Sequence, residues 1–436
     1  MKRRYYLLTA LLVITAWVMI SRLNGVVIEQ LNDTGLVRIT VNFYVPVIQK
    51  DVENKIHLES ERPGMKFLKT VRWIDDKTLE IYALEKGLPR GFKTRLYIEP
   101  LKTAIPGVYK SVKVYYRVNI RPFLTEISSP VPSRGPVVLS FSTPVSGEEL
   151  SKYLKADFDF TLRPYYIPLA IGKLFRDTSW WQVIPREPLE PGRRYGIRFE
   201  GGGSAMTGFN RWFDVAEIPK VVSTAPRDGE NNVMPYTVLT VNFDQEMQEV
   251  SIKVNHMTGD VRVNGKTAEF KPHSVFLPGK SYEVTVQGRS VYGEKMKPYN
   301  FKFVTADMGD RLWVEVNLRS LQKVVVYRGG KIVKTMLASG GRPGPETETP
   351  LGYFTIKDRG ARFWSERFGQ GAFYWVRIKD NYLFHSMPRD RDWNIIGEEY
   401  EKLGIPASHG CIRLKDEDAK WFYENIPEGT LVIIHD

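Results

Sequence analysis

VNFDQEM, residues 241–247, is the stretch on which the fold turns, because versions of it stand at three places in the 436-residue chain. The others are VNFYVPV at 41–47 and LSFSTPV at 139–145, and their phenylalanines, Phe43, Phe141 and Phe243, fall 98 and 102 residues apart. A second marker follows each: LPRGFKTRLYIE at 88–99, LEPGRRYGIRFE at 189–200 and LPGKSYEVTVQG at 277–288. Both markers alternate β-branched or aromatic residues with polar ones beside Pro/Gly turns, the pattern of half-buried antiparallel strands. Helical periodicity is nearly absent here. The repeat length predicts three tandem β-sandwich modules, at 26–121, 122–217 and 218–306. Each is about 35 Å across for a compact domain of its size, so three in line would span on the order of 100 Å.

Upstream of the repeat, Lys2, Arg3 and Arg4 precede an apolar run from Tyr5 to Ile20 interrupted only by Thr9 and Thr15. A cleaved secretory signal has a shorter apolar region and small residues at its exit. Trp17, Val18, Met19 and Ile20 crowd that exit instead. Residues 1–25 are therefore expected to be an uncleaved transmembrane signal-anchor, with its basic cluster cytoplasmic and the rest of the chain extracytoplasmic. The net charge of +12 invites a nucleic-acid reading, but the basic residues are scattered rather than striped, and anionic lipid and wall polymers are the first partners of an anchored protein. A single cysteine permits no internal disulfide. Stability must come from burial, and 42% hydrophobic residues suffice for several cores.

From about Arg311 the pattern changes. RLWVEVNLRSLQKVVVYRGGKIVKTMLAS (311–339) reads as two or three strands, TPLGYFTI (349–356) as another, and more are expected at 373–378 and 382–386. DEDAKWFYENI (416–426) carries Ala419, Phe422 and Ile426 at helical spacing, with Asp416 placed to cap the start. Pro427 and Gly429 end that helix, and TLVIIHD returns as a strand. Residues 307–436 are thus a separate, mainly β domain with one short helix.

The lone cysteine sits in SHGCIRL, residues 408–414. A lone thiol is by default an inert buried group, yet Ser408, His409, Gly410 and Arg413 are poor core formers. Zinc wants three or four ligands, and only His385, His409 and Cys411 are local candidates. A nucleophile explains more of the neighbours. An ordinary thiol is only about 3% thiolate at pH 7, and lowering its pKa by about two units raises that to roughly 75%. His385, closing the apparent strand NYLFHS, is placed to serve as partner. Gly410 lets the backbone turn so that amides near His409, Gly410 and Cys411 face a developing oxyanion. Residue types alone leave the three roles open.

TPLGYFTI, FHS, ASHGCIRL and DAKWFYENIPEGTLVII together resemble the catalytic domain of the L,D-transpeptidases, the YkuD-type enzymes of bacterial peptidoglycan. The resemblance covers about 311–436. The third repeat, STAPRDGENNVMPYTVLTVNFDQEM to YNFKFVTAD, resembles bacterial immunoglobulin-like domains, and the first two do so more weakly. The resemblance implies Cys411 as nucleophile and His385 as general base. It implies that Ser386 orients the imidazole, and that Ser408, His409 and Gly410 shape the nucleophile loop and oxyanion hole. Arg413 stands where the family has Asn or Arg, holding either the loop or a carboxylate of the stem peptide. It further implies acyl transfer from a donor tetrapeptide stem to an acceptor stem, giving 3→3 peptidoglycan cross-links through a cysteine thioester. No metal or organic cofactor is called for, and carbapenems should acylate Cys411. Hydrolysis by an L,D-carboxypeptidase, or a non-catalytic wall-binding anchor, are the alternative readings. The chain departs from the family in one respect: 22 residues separate His385 from Ser408, more than the family usually has. Trp393 and Tyr400 in that insert are candidates for a lid or for anchoring the loop. Phe363, Trp364, Tyr374 and Trp375 are candidates for core packing or cleft walls.

Overall fold

A computed structural model describes residues 24–32, 35–86, 91–169, 172–201 and 206–436. The expected anchor, apart from its last two residues, and the first three residues of the 88–99 marker lie outside them. Among the described residues no helix is long and apolar enough to cross a membrane. The chain divides into two compact units, Met1–Glu217 and Ile218–Asp436.

The first unit holds two sandwiches. In one, a sheet ordered Gly25–Gln30, Val37–Asn42, Thr78–Glu85, Phe67–Trp73 accompanies a sheet of Ile56–Ser60, Thr94–Lys102 and Tyr109–Tyr116. Val37, Ile39 and Val41 are buried while Arg38, Thr40 and Asn42 are not, so the period-two pattern directs one face inward. The other sandwich orders Phe160–Pro168, Leu174–Pro185, Val137–Phe141, Leu124–Ile127 in one sheet and Leu154–Ala156, Arg194–Phe199, Phe209–Asp214 in the second. It also contains a helix, Gly147–Tyr153, that the sequence reading missed. Seven residues with only Leu150 buried are too few to show a helical period.

In the second unit, the third sandwich orders Val221–Ala225, Leu239–Phe243, Thr267–Pro272, Gly259–Asn264 against Glu230–Val233, Tyr299–Thr305, Ser281–Ser290, Met247–Val254. Phe43, Phe141 and Phe243, at most 3% exposed, each sit at or just past the end of a central strand, in three separate cores. Burying such a ring contributes about 2–3 kcal/mol, which explains why the motif marks each module.

The terminal domain is one nine-stranded sheet ordered Gly352–Thr355, Leu431–His435, Leu312–Asn317, Lys323–Arg328, Lys331–Ser339, Ile412–Leu414, Tyr382–His385, Gln370–Lys379, Arg359–Ser365. The helix Asp416–Asn425 buries Ala419 and Phe422 against it, and Phe422 stacks on Phe384 with ring centroids 4.3 Å apart. Asp416 does not cap that helix. Lys415 occupies the cap without a side-chain hydrogen bond, and the Asp416 carboxylate pairs with Arg389 of the 387–407 insert. The strand Arg359–Ser365 was not foreseen, because its burial does not alternate.

The third sandwich packs on the terminal domain. Tyr236 stacks on His435 at 4.3 Å, Asn317 Nδ2 donates to the His273 carbonyl at 3.1 Å, and Val275 joins a shared cluster with Trp313, Tyr327 and Ile433.

Candidate active site

His385 ends one strand and Cys411 immediately precedes the next, which runs parallel to it with Phe384 opposite Ile412 and His385 opposite Arg413. Strand spacing of about 4.8 Å and a rise of about 3.3 Å per residue put the two Cα atoms on the order of 8 Å apart. Residues 383 and 385, like 411 and 413, share a face of the sheet. Both side chains line one cleft of about 800 Å³.

His385 is buried. Its Nδ1 lies 2.6 Å from the Ser386 carbonyl; a carbonyl only accepts, so Nδ1 carries the hydrogen and Nε2 the lone pair. Ser386 is itself fixed, since its Oγ accepts the Phe373 N–H at 2.9 Å and donates to the Met387 carbonyl at 3.1 Å. The edge of Phe363 meets the imidazole at 5.5 Å. Burial, with a smaller contribution from the Arg413 cation and against the Ser386 hydrogen bond, pushes the His385 pKa down to about 4.

Cys411 is partly buried. Its Sγ donates to the Asn381 carbonyl at 3.5 Å. Burial pushes the thiol above its ordinary range, opposed by the Leu383 amide and by Arg413. The sequence reading looked to a partner imidazole and loop amides to lower this pKa, and burial raises it instead. Taking both groups out of water disfavours both charges, so the resting pair is neutral thiol and neutral imidazole.

Around the thiol, Ser408 Oγ donates to the Cys411 carbonyl at 2.6 Å and accepts the Gly410 N–H at 3.0 Å. That amide is thus committed to shaping the loop rather than free for an oxyanion, a second departure from the sequence reading. Gly410 has φ +112°, and a Cβ there would lie 2.5 Å from Tyr382 Cε1. Thr349, unremarked in the sequence beyond its place in TPLGYFTI, ties the loop down: its Oγ1 donates to the Gly410 carbonyl at 3.0 Å and accepts the Gly341 N–H at 2.8 Å.

His409 is exposed. It accepts from Arg342 Nη2 at 2.6 Å and stacks on Phe368 at 4.4 Å. Partial burial and then the Arg342, Arg413 and Arg367 cations lower its pKa, which favours the neutral ring that accepts from Arg342. Arg413 is only 5% exposed; its Nη1 pairs with Glu399 of the insert.

Of the four aromatic candidates, Phe363, Trp364 and Trp375 line the cleft. Tyr374 alone of the four packs on the core. Trp393 stacks on Phe373 at 5.0 Å and so anchors the insert, while Tyr400 is exposed. Among the described residues no three His, Cys, Asp or Glu side chains gather as a metal site.

Residues 311–434 match the family model of the L,D-transpeptidase catalytic domain (YkuD), and 215–305 that of a bacterial Ig-like domain (Big_5). The chain is 46% identical over 127 residues to YciB of Bacillus subtilis (strain 168), a protein assigned by its name to the L,D-transpeptidases, over 28% of this chain and 65% of that one. It thus spans slightly less than two thirds of that relative. It is 27% identical over 233 residues to L,D-transpeptidase 1 of Mycobacterium tuberculosis (strain ATCC 25618 / H37Rv), over 49% of this chain and 83% of the other. A solved structure of the L,D-transpeptidase LdtMt1 in complex with imipenem aligns over 50% of this chain and 100% of its own, at 22% identity and a TM-score of 0.24.

Proposed function

We propose that this chain, which carries an L,D-transpeptidase catalytic domain at residues 311–434 and a bacterial Ig-like domain at 215–305, is a cell-wall L,D-transpeptidase acting through Cys411. The observation that carries the reading is the placement of the Cys411 thiol and the His385 imidazole in one cleft, on neighbouring parallel strands.

The chemistry follows from the neutral resting pair. The donor is a tetrapeptide stem, and the carbonyl attacked joins the L-centre of its third residue to the terminal D-alanine. The Cys411 sulfur forms the new C–S bond as its proton passes to His385 Nε2, the nitrogen left basic by the Nδ1 contact with Ser386. The C–N bond then breaks and the imidazolium returns the proton to the departing amine. The amine of the third residue on an acceptor stem attacks the thioester, loses its proton to His385 and leaves as a 3→3 cross-link, while the sulfur regains a proton. Aromatic walls from Phe363, Trp364 and Trp375 hold the stem, and Ser408, Thr349 and Gly410 hold the loop in the shape the attack needs. The Arg413 guanidinium, engaged by Glu399, braces that loop rather than binding the stem. A β-lactam carbonyl presented to the same thiol gives a stable acyl-enzyme, so carbapenems are expected to label Cys411.

The sandwiches serve as a spacer, and residues 1–25 anchor the chain in the cell membrane, with the enzyme on the wall side. The test is incubation of tetrapeptide muropeptides with wild type and Cys411→Ala. Cross-linked dimers from wild type alone support the proposal. Free tripeptides alone would assign the protein to hydrolysis, and no turnover by wild type would reduce it to a wall-binding anchor.

A further inference from the structure

The 387–407 insert enters the scheme above only through Glu399, its charged contact with the nucleophile strand. Glu399 lies in the helix Gly397–Tyr400, and its carboxylate pairs with Arg413, two positions after the nucleophile. Arg413 is buried and Glu399 is largely shielded, their side chains 6% and 16% exposed. Glu399 is held from behind by Lys402 Nζ at 2.7 Å. The segment carrying Lys402 is itself fastened to the sheet, because Ser339 Oγ donates to the Lys402 carbonyl at 2.8 Å and accepts the Gly404 N–H at 3.0 Å. The acid is therefore presented by a fixed element, and a pair with one buried and one largely shielded partner is screened less than a surface pair.

Arg413 in turn faces the chemistry. It lines the cleft with His385, Cys411 and His409, and its charge acts on all three. The other charged groups of the cleft are Arg367, Arg377 and Asp380 from the strand-rich side and Glu346 from the 340–351 loop. Of these, Arg377 is already engaged by Asp358 at 2.7 Å, so among the described residues Glu399 is the carboxylate paired with Arg413.

We propose that Glu399 is a positioning residue for the acyl transfer: through Arg413 it pins the nucleophile strand to the insert and balances the cation that stands beside the thiol and the imidazole. This rests on the proposed function, since it assigns the insert a part in that same reaction. With Glu399 neutral, Arg413 acts unopposed, favouring thiolate over thiol and neutral over protonated imidazole. His385 becomes a weaker base and the loop loses its tie.

The test uses the full chain and its single cysteine. The pH midpoint of Cys411 alkylation by iodoacetamide, read by intact mass, is compared in wild type, Glu399→Gln and Glu399→Asp, alongside kcat and KM on tetrapeptide stems. Glu399→Gln is expected to lower the midpoint by about half a pH unit and kcat by about tenfold, with KM nearly unchanged. Glu399→Asp should keep the wild-type midpoint. Loosening alone would speed alkylation at every pH without moving its midpoint, and that result, or an unchanged midpoint with unchanged kcat, overturns the proposal. If Glu399→Gln does not accumulate folded, the double variant Glu399→Gln, Arg413→Gln removes both charges and should lie close to the wild-type midpoint; a midpoint well below wild type there also overturns it. Alkylation does not need turnover, so a wild type that fails to transfer peptides would sink the proposed function and leave this measurement standing.

Discussion

The Nδ1 atom of His385 lies 2.6 Å from the carbonyl oxygen of Ser386, and this one contact decides which nitrogen can take a proton. With its pKa pushed down to about 4 from an ordinary value near 6.5, the imidazole is neutral and basic at Nε2 well into the acid range. The acid limb of kcat/KM is therefore expected near pH 4. A limb centred on pH 6.5 or above would mean that the ring is solvated or that another group is the base.

The same burial makes a stability prediction whose sign can be worked out. Between pH 6.5 and about 4 the unfolded histidine takes up a proton that the folded one refuses, so stability falls as pH falls through that window, by up to roughly 3 kcal/mol. Denaturation midpoints of wild type and His385→Gln should diverge at pH 7 and 4.5, the variant losing part of the slope. Parallel pH dependence in the two proteins would contradict the burial argument. Turnover by the variant should drop by about a hundredfold or more.

At Gly410 the backbone conformation and the neighbour agree. A φ of +112° and a Cβ 2.5 Å from Tyr382 Cε1 leave no room for alanine, so Gly410→Ala is expected to destabilise the domain by about 1–3 kcal/mol and to abolish most turnover by shifting the loop. Wild-type kinetics in that variant would show the loop to be adaptable.

A second buried cluster lies away from the cleft. Glu315 accepts from Tyr327 Oη at 2.8 Å and lies 2.8 Å from His435 Nε2. Burial alone would raise its pKa, but the His435 and Tyr327 hydrogen bonds outweigh it and hold the carboxyl below its usual range. Its stabilisation is accordingly present above about pH 4.5 and lost on acidification. His435→Ala leaves the acid buried with one partner fewer and removes the ring on which Tyr236 stacks. Thermal melts at pH 7 should show a loss of about 3–5 kcal/mol; an unchanged melt would mean that water or another group replaces the histidine.

How much of this was legible in the sequence depended on distance along the chain. The sandwiches announced themselves through Phe43, Phe141 and Phe243, because strand alternation is a local pattern that burial reads out directly. The nucleophile loop was legible from SHGCIRL and the preceding FHS. What the sequence could not display are contacts set through space. Thr349 reaches Gly410 across 61 residues and Ser339 reaches the insert across 63. The direction of the thiol's pKa shift is not legible in the motif for the same reason: burial, the dominant influence on Cys411, belongs to the folded cleft and not to the neighbours in the motif. Strand Arg359–Ser365 carries Phe363 and Trp364 into the cleft, and a strand that lines a cleft rather than a core does not alternate.

The central claim is a covalent one, and the most direct measurement of it is the intact mass of the full chain after brief exposure to a tetrapeptide donor or a carbapenem. The account predicts a single acyl adduct in wild type, mapped by peptide digestion to Cys411 and missing from Cys411→Ala. Efficient turnover of tetrapeptide stems by Cys411→Ala, or an adduct mapped to any other side chain, would contradict it.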